Sequence, residues 1–210
     1  QFVKEHAACA VLVSGRGNNF AYVSADADVD KSIKVILNSK THKISACNAL
    51  DKILINTSHP NYKQIVKDLA VELKEAGVEL WSDEKIQAIL PEAKLVDQES
   101  VWYEEFLALK AVIATVDDDQ QAIDWINKYS GGHSASILTE DRELAQKFME
   151  QVDGAAVYHN ASTRFTDGGA MGVGAELAIS TDKLHHRGPL GLKQLVTNKY
   201  YVYGDGQVRV

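Results

Sequence analysis

The sequence predicts an α/β fold with a mainly parallel sheet flanked by helices. Three observations carry that expectation. Short apolar runs of strand length, such as Phe20-Ala21-Tyr22-Val23 and Ile53-Leu54-Ile55, alternate with segments of helical period. The clearest of those segments, Pro60 to Ala76, places Ile65, Val66, Leu69, Ala70, Leu73 and Ala76 on one face and stops at Gly77. The third observation is the repetition itself. Strand and helix signals succeed one another as far as Tyr158, the pattern of parallel strands joined by crossover helices.

Taken in order, Cys9-Ala10-Val11-Leu12-Val13 reads as a buried strand, followed by a Gly-containing turn over Ser14 to Asn19 and a second strand at Phe20–Val23. Asp26 to Leu37 reads as a helix with an acidic first turn, which favours the positive end of the helix dipole. Strands follow at Ile53–Ile55, Val78–Trp81, Ala111–Val116, Ser134–Leu138 and Ala155–Tyr158. Helices are expected over Pro60–Ala76, Gln120–Tyr129 and Arg142–Gln151. From Asn160 to Gly191 the chain is rich in Gly, Ser, Thr and His and has little periodicity; a stretch of that length without clear elements is usually functional. Tyr200-Tyr201-Val202-Tyr203 reads as a last strand with no obvious partner in the chain, suited to pairing with another subunit.

Composition narrows the function classes. The 210 residues can bury a sizeable core, and 45% hydrophobic with 24% charged residues is an ordinary globular balance. A net charge of −7 disfavours a nucleic-acid surface, and no apolar run reaches membrane-spanning length. Two cysteines, Cys9 and Cys47, do not make a disulfide framework and fit reduced thiols of a cytoplasmic protein. The start, Gln1-Phe2-Val3-Lys4-Glu5-His6, has neither the apolar segment of a signal peptide nor an initiating Met, so the chain reads as a processed product or an excised domain.

Cys47 is the most informative residue. It lies in Ser45-Ala46-Cys47-Asn48-Ala49-Leu50, after the polar run Asn38-Ser39-Lys40-Thr41-His42-Lys43. A lone cysteine is most often a small buried hydrophobe. Nearby cations or backbone N–H groups would instead lower its pKa and favour the reactive thiolate. The run Gly168-Gly169-Ala170-Met171-Gly172-Val173-Gly174 lacks the strand before it, the helix after it and the Lys-Ser/Thr pair that phosphate loops require, and reads as closely packed or flexible backbone. His185-His186 has no third ligand at a usual spacing, so no metal site is expected, and His133 stands at a loop-to-strand junction.

Several stretches together resemble a known family. Asn160-Ala161-Ser162-Thr163-Arg164-Phe165-Thr166-Asp167-Gly168-Gly169, Gly172-Val173-Gly174-Ala175-Glu176, Ile179-Ser180-Thr181 and His186-Arg187-Gly188-Pro189-Leu190-Gly191-Leu192 are similar to the C-terminal signature of the gamma-glutamyl phosphate reductase family, within the aldehyde dehydrogenase superfamily. Asn38–Thr41 with Ala46–Ala49 resembles that family's active-site cysteine segment, and Tyr129–Ser134 its histidine signature. Four positions at three places depart from the pattern: Asn19-Phe20 stands where Cys-His is usual, Ala135 where an acid is usual, and His185 where Ala is common.

The resemblance implies an aldehyde dehydrogenase-like catalytic domain over residues 1–158, a return segment toward an absent cofactor domain over 159–198, and an oligomerisation strand over 199–210. It implies reduction of L-glutamate 5-phosphate to the semialdehyde by NADPH, in proline biosynthesis, through a thioester on Cys47. His133, Asn160 and Arg164 are then expected at the substrate and Glu105 at the cofactor, with Lys40, Arg164 and Arg187 as candidate phosphate ligands. The implied partners are the small acyl phosphate, a second copy of the chain in a homo-oligomer, and glutamate 5-kinase in the pathway; nucleic acid and membrane are not among them. Hydrolytic relatives activate water with a Glu that aligns near Ser14, and a serine is a poor base there, which suits reduction over hydrolysis. The alternatives are a CoA-acylating reductase of the same superfamily and a non-catalytic domain fragment.

Overall fold

A computed structural model describes residues 2–209. A short helix α1 (Phe2–His6) precedes β1 (Asn19–Val23), and the chain continues through α2 (Val29–Thr41), β2 (Leu50–Asn56), α3 (Tyr62–Glu75), β3 (Glu79–Ser82), α4 (Glu84–Gln87), β4 (Lys94–Leu95), a 3-10 turn (Glu99–Tyr103), β5 (Lys110–Val116), α5 (Asp119–Tyr129), β6 (Ser134–Leu138), α6 (Arg142–Gln151) and β7 (Ala156–His159). These seven strands form one sheet in the order β4-β3-β5-β2-β1-β6-β7, and every pairing in it is parallel. A separate antiparallel pair, β8 (Ala178–Ser180) and β9 (Gly188–Leu190), follows.

The central strands are apolar on both sides because both faces are covered. Ala21, Val23, Ile53, Ile55, Ala111 and Ile113 pack with the buried faces of α2, α3 and α4. The alternating residues Phe20, Tyr22, Leu54, Val112, Ala114 and Val116 pack with α5, α6 and Trp102. That strict period of two is the pleat of a strand, and the continuous apolar runs are what a doubly covered parallel sheet produces. From the centre, β2, β3, β4 and β5 are laid down to one side of β1 and β6 and β7 to the other. The crossover helices therefore fall on opposite faces.

The starts of α2, α4, α5 and α6 are set by aspartates. Asp28 accepts from Lys31 N (2.8 Å), Asp83 from Ile86 N (2.7 Å), Asp118 from Gln121 N (2.8 Å) and Asp141 from Glu143 N (2.8 Å). Each such cap is worth about 1 kcal/mol. Gly77 ends α3 with φ of +79°, the left-handed conformation glycine takes without strain.

Two expected strands are absent. Residues 7–13 form no ladder, and Cys9 is exposed. Ala7 N donates to Val3 O (2.9 Å) at the end of α1, and further along Val13 O accepts from Thr181 N (3.3 Å) and Ser14 bridges Ser180. Apolar composition alone does not make a strand when no neighbouring backbone is in register. Tyr200–Tyr203 is likewise not a strand, since no partner strand lies beside it; Tyr200 to Tyr203 are 70–92% exposed. Gln1 and Val210, the ends of the expected catalytic domain and oligomerisation strand, lie outside the described residues.

Candidate active site

Cys47 sits in the eight-residue connection between α2 and β2, at the amino ends of the parallel strands. Two turns shape the connection, Ala46 N donating to Lys43 O (3.3 Å) and Ala49 N to Ala46 O (2.9 Å). Asn19 fixes it from β1. The fully buried Asn19 amide donates to the carbonyls of Gly17, Cys47 and Ala49 at 2.7, 2.8 and 2.7 Å. Gly17 lies so close that a Cβ there would stand 1.7 Å from the Cys47 carbonyl oxygen. On the other side Asn48 donates to Thr166 O (2.8 Å) and Arg164 O (3.3 Å), and Thr163 Oγ1 donates to Asn48 O (2.8 Å). The cysteine is thus held between the start of β1 and residues 163–166, its side chain half-buried.

The electrostatics differ from the sequence expectation. Burial pushes the Cys47 thiol above its ordinary pKa, and the carboxylates of Glu176 and Glu105 push it further; a backbone N–H and the Arg164 guanidinium oppose them. The nearby lysines do not activate it. Lys40 is fully buried and paired with Asp51 (2.9 Å), and Lys43 is exposed.

Glu105 lies in the turn between the 3-10 segment and β5. Burial raises its pKa, and the backbone N–H of Gly17, the glycine that packs on Cys47, opposes the rise. The turn is held from β2: Lys52 Nζ donates to Glu104 O (2.7 Å), and Asp51 Oδ2 accepts from Phe106 N (3.0 Å). Leu107 closes it at φ +48°, a left-handed conformation that costs a leucine about 1–2 kcal/mol. Such strain concentrates at functional sites.

The other expected residues divide. His133 also lies at the amino ends, fully buried, with Nδ1 against Ser134 Oγ (2.8 Å). Ser134 Oγ meets Thr166 Oγ1 (2.7 Å), and Tyr158 OH meets the same oxygen (2.8 Å). Burial lowers the His133 pKa to about 4, so the ring is neutral, and its Nε2 has no partner among the described residues. His133 therefore reaches Cys47 indirectly, through Ser134, Thr166 and Asn48. Arg164 lines a cleft of about 430 Å³ with Asn38, His42, Phe165, Asp167 and Ala170, and its Nε is buried and unpartnered. Asn160 is not with them. It follows β7 at the carboxyl ends, where its side chain bonds both Thr139 N (3.0 Å) and Thr139 O (2.8 Å) and its φ is +52°. There it turns the chain back toward Cys47.

Among the phosphate candidates, Lys40 serves the Asp51 pair. Arg187 is engaged as well, donating to Asp153 Oδ1 (2.6 Å), Asp153 O (2.8 Å) and Gly132 O (3.1 Å). Arg164 is the candidate that keeps free donors. The Gly168–Gly174 loop closes on itself, Val173 N donating to Gly168 O (2.9 Å) and Gly168 N to Glu176 Oε2 (2.7 Å), so these N–H groups do not form a phosphate cradle. Ser14 is exposed. No cluster of His, Cys, Asp and Glu among the described residues could hold a metal ion, and no helix among them is long and apolar enough to cross a membrane. Asn19, Lys52 and Glu176 are site residues that sequence reasoning missed. Asn19 had one signal, its departure from the family's pattern.

Comparison with known proteins places this geometry. Residues 92–176 match the model of the aldehyde dehydrogenase family. A gamma-glutamyl phosphate reductase of Syntrophomonas wolfei is 44% identical over 209 residues, covering 100% of this chain and 49% of that protein. One from Dictyoglomus thermophilum is 47% identical over 201 residues, covering 95% and 47%. The crystal structure of gamma-glutamyl phosphate reductase from Thermotoga maritima superposes with a TM-score of 0.90 at 44% identity, over 99% of this chain and 50% of that one. An acetylating aldehyde dehydrogenase of Geobacillus thermoglucosidasius shares the fold at 16% identity and a TM-score of 0.68. The fold is aldehyde dehydrogenase-like, and the chain spans about half the length of the curated relatives it matches.

Proposed function

We propose that this chain is the catalytic portion of a gamma-glutamyl phosphate reductase, which reduces L-glutamate 5-phosphate to L-glutamate 5-semialdehyde with NADPH and releases phosphate. The observation that carries the reading is the clamped Cys47 connection, with Glu105, Glu176 and Arg164 within electrostatic reach of the thiol. Similarity along nearly all of this chain to about half the length of proteins of that name supports it.

In this reading the Cys47 thiol gives up its proton to one of the two carboxylates that otherwise hold it protonated. Sγ then attacks the acyl carbon, the C–O bond to phosphate breaks, and a thioester remains on Cys47. Arg164 takes the phosphate oxygens, since its guanidinium has donors to offer and lines the adjoining cleft. NADPH, when bound, would supply the hydride for the thioester carbonyl, and breaking of the C–S bond would then free the semialdehyde and return the Cys47 thiolate. Glu105 suits a ribose hydroxyl of that cofactor: it is a half-buried carboxylate anchored by a backbone N–H. The rest of the cofactor pocket we assign to the part of the relatives' length that this chain does not span. Exposed Ser14 offers no base to activate water, so the thioester awaits hydride. His133 and Asn160 act here as supports, His133 behind residues 163–166 and Asn160 at the turn that returns the chain.

The division into a catalytic domain (1–158), a return segment (159–198) and an oligomerisation strand (199–210) belongs to the same proposal, as do a homo-oligomer, a cytoplasmic location and supply of the acyl phosphate by glutamate 5-kinase. The test is NADPH oxidation with enzymatically generated glutamyl phosphate, using the full-length protein, its Cys47→Ser variant and this chain. We expect turnover by the full-length protein alone. Full activity in Cys47→Ser refutes the nucleophile; turnover with acyl-CoA but not with glutamyl phosphate replaces the substrate. Tight NADPH binding by this chain refutes the division of the cofactor pocket.

A further inference from the structure

Lys52 has no part in the chemistry above, yet it is fully buried at the start of β2, five residues after Cys47. Its Nζ donates to Asn18 Oδ1 (2.8 Å) and Glu104 O (2.7 Å) and lies 3.8 Å from the centre of the Phe106 ring. Asn18 in turn donates to Trp102 O (2.6 Å) and Tyr129 O (2.8 Å), which anchors the acceptor. Its neighbour Asp51 accepts from Phe106 N while paired with Lys40. Two successive β2 residues therefore grip both sides of Glu105. The Gly17 backbone N–H lowers the pKa of the Glu105 carboxyl, and Gly17 is packed on the Cys47 carbonyl.

We infer that Lys52 is a positioning residue: through Glu104 and Phe106 it holds the turn that keeps the Glu105 carboxylate beside the Cys47 thiol. Packing alone does not ask for an amine here, since an apolar residue of similar length fills a buried strand without the desolvation cost. That cost is visible in the Lys52 pKa, which burial lowers to about 7. The charged groups that bear on it are Asp51 on β2 and Glu104 on the turn, which raise the pKa, and Lys40 on α2 and Lys110 on β5, which lower it. The strained φ of Leu107 falls at the end of the same turn.

The experiment is a titration of the Cys47 thiol in this chain, in a Cys9→Ser background so that one thiol reports. The rate of iodoacetamide alkylation is followed against pH for the parent, Lys52→Met, Glu105→Gln and the double variant. Moving or neutralising the Glu105 carboxylate removes a charge that holds the thiol protonated. Each single variant therefore lowers the midpoint by about half a pH unit or more. Loss of the lysine's own charge acts in the opposite direction, so a downward shift is not a by-product of removing a cation. The double variant shifts no further than Glu105→Gln alone, because the effect of Lys52 runs through Glu105. An unchanged midpoint in Lys52→Met, or a shift that adds in full to that of Glu105→Gln, overturns the inference. If Lys52→Met does not fold, Lys52→Gln, which keeps an uncharged donor, is read by the same two criteria. The inference rests on Cys47 and Glu105 as site residues. Its titration uses neither NADPH nor acyl phosphate, so its failure is distinct from failure of the reductase assay.

Discussion

Replacing Asn19 by alanine tests how the cysteine connection is held. The amide donates to three buried carbonyls, those of Gly17, Cys47 and Ala49. Two N–H bonds shared among three acceptors are lost, at about 1 kcal/mol each. The stranded carbonyls add about 1–2 kcal/mol, and removal of the side-chain oxygen, itself unpartnered, returns about 1 kcal/mol. The net loss is about 2–3 kcal/mol, which for a domain of this size lowers Tm by roughly 4–12 °C. Thermal unfolding followed by circular dichroism reads the first quantity. Alkylation of Cys47 in the Cys9→Ser background reads the second consequence, a changed thiol reactivity once the connection is released. A Tm within about 2 °C of the parent, together with an unchanged alkylation rate, refutes the claim that Asn19 holds the nucleophile.

Cys47→Ser in the full-length protein abolishes NADPH oxidation while leaving Tm nearly unchanged, because a hydroxyl fills the same space but scarcely ionises near neutral pH; loss of activity in Cys9→Ser instead reverses the assignment. His133 makes stability depend on pH. Its folded pKa of about 4 lies below the ordinary 6.5, so the unfolded chain binds the extra proton between those values. The stabilisation from the neutral ring is complete above pH 6.5, declines as pH falls toward 4 and totals about 3 kcal/mol at most. Denaturant midpoints of parent and His133→Leu should converge over that interval, and parallel curves contradict it. Asp51→Asn leaves Lys40 buried without its counter-ion and costs about 3–5 kcal/mol, whereas adding Lys40→Met restores much of the loss; urea titrations of the three variants decide.

The sheet and its helices were legible because burial on both faces writes itself into composition. β6 and α6 have the very bounds that their apolar period predicts. The stretch from Glu84 to Leu109 was not legible. Its four-residue helix buries only Ile86, its two-residue strand buries nothing and its 3-10 turn buries Val101 and Trp102, too few to impose a period. Residues 9–13 failed for the opposite reason, an apolar run with no ladder to join. In the candidate site, Cys47 and Glu105 were singled out through resemblance to a family. Charge alone misled for Lys40 and Arg187, since their acidic and carbonyl partners come from distant parts of the chain. The roles of Asn19, Lys52 and Glu176 also arise from neighbours on other elements, and no local pattern carries that information.

The contact between Gly17 and Cys47 limits how this protein can be redesigned. Gly17 has no positive φ, so its backbone would accept any residue; what forbids a side chain is the carbonyl in its place. A saturation library screened for activity would therefore score position 17 as invariant, beside the proposed nucleophile, although a glycine has no group to contribute. Reshaping the proposed substrate cleft has to proceed from the Arg164 side, where Phe165 and Ala170 are exposed and have room to change, and leave the β1 side of the cysteine as it stands.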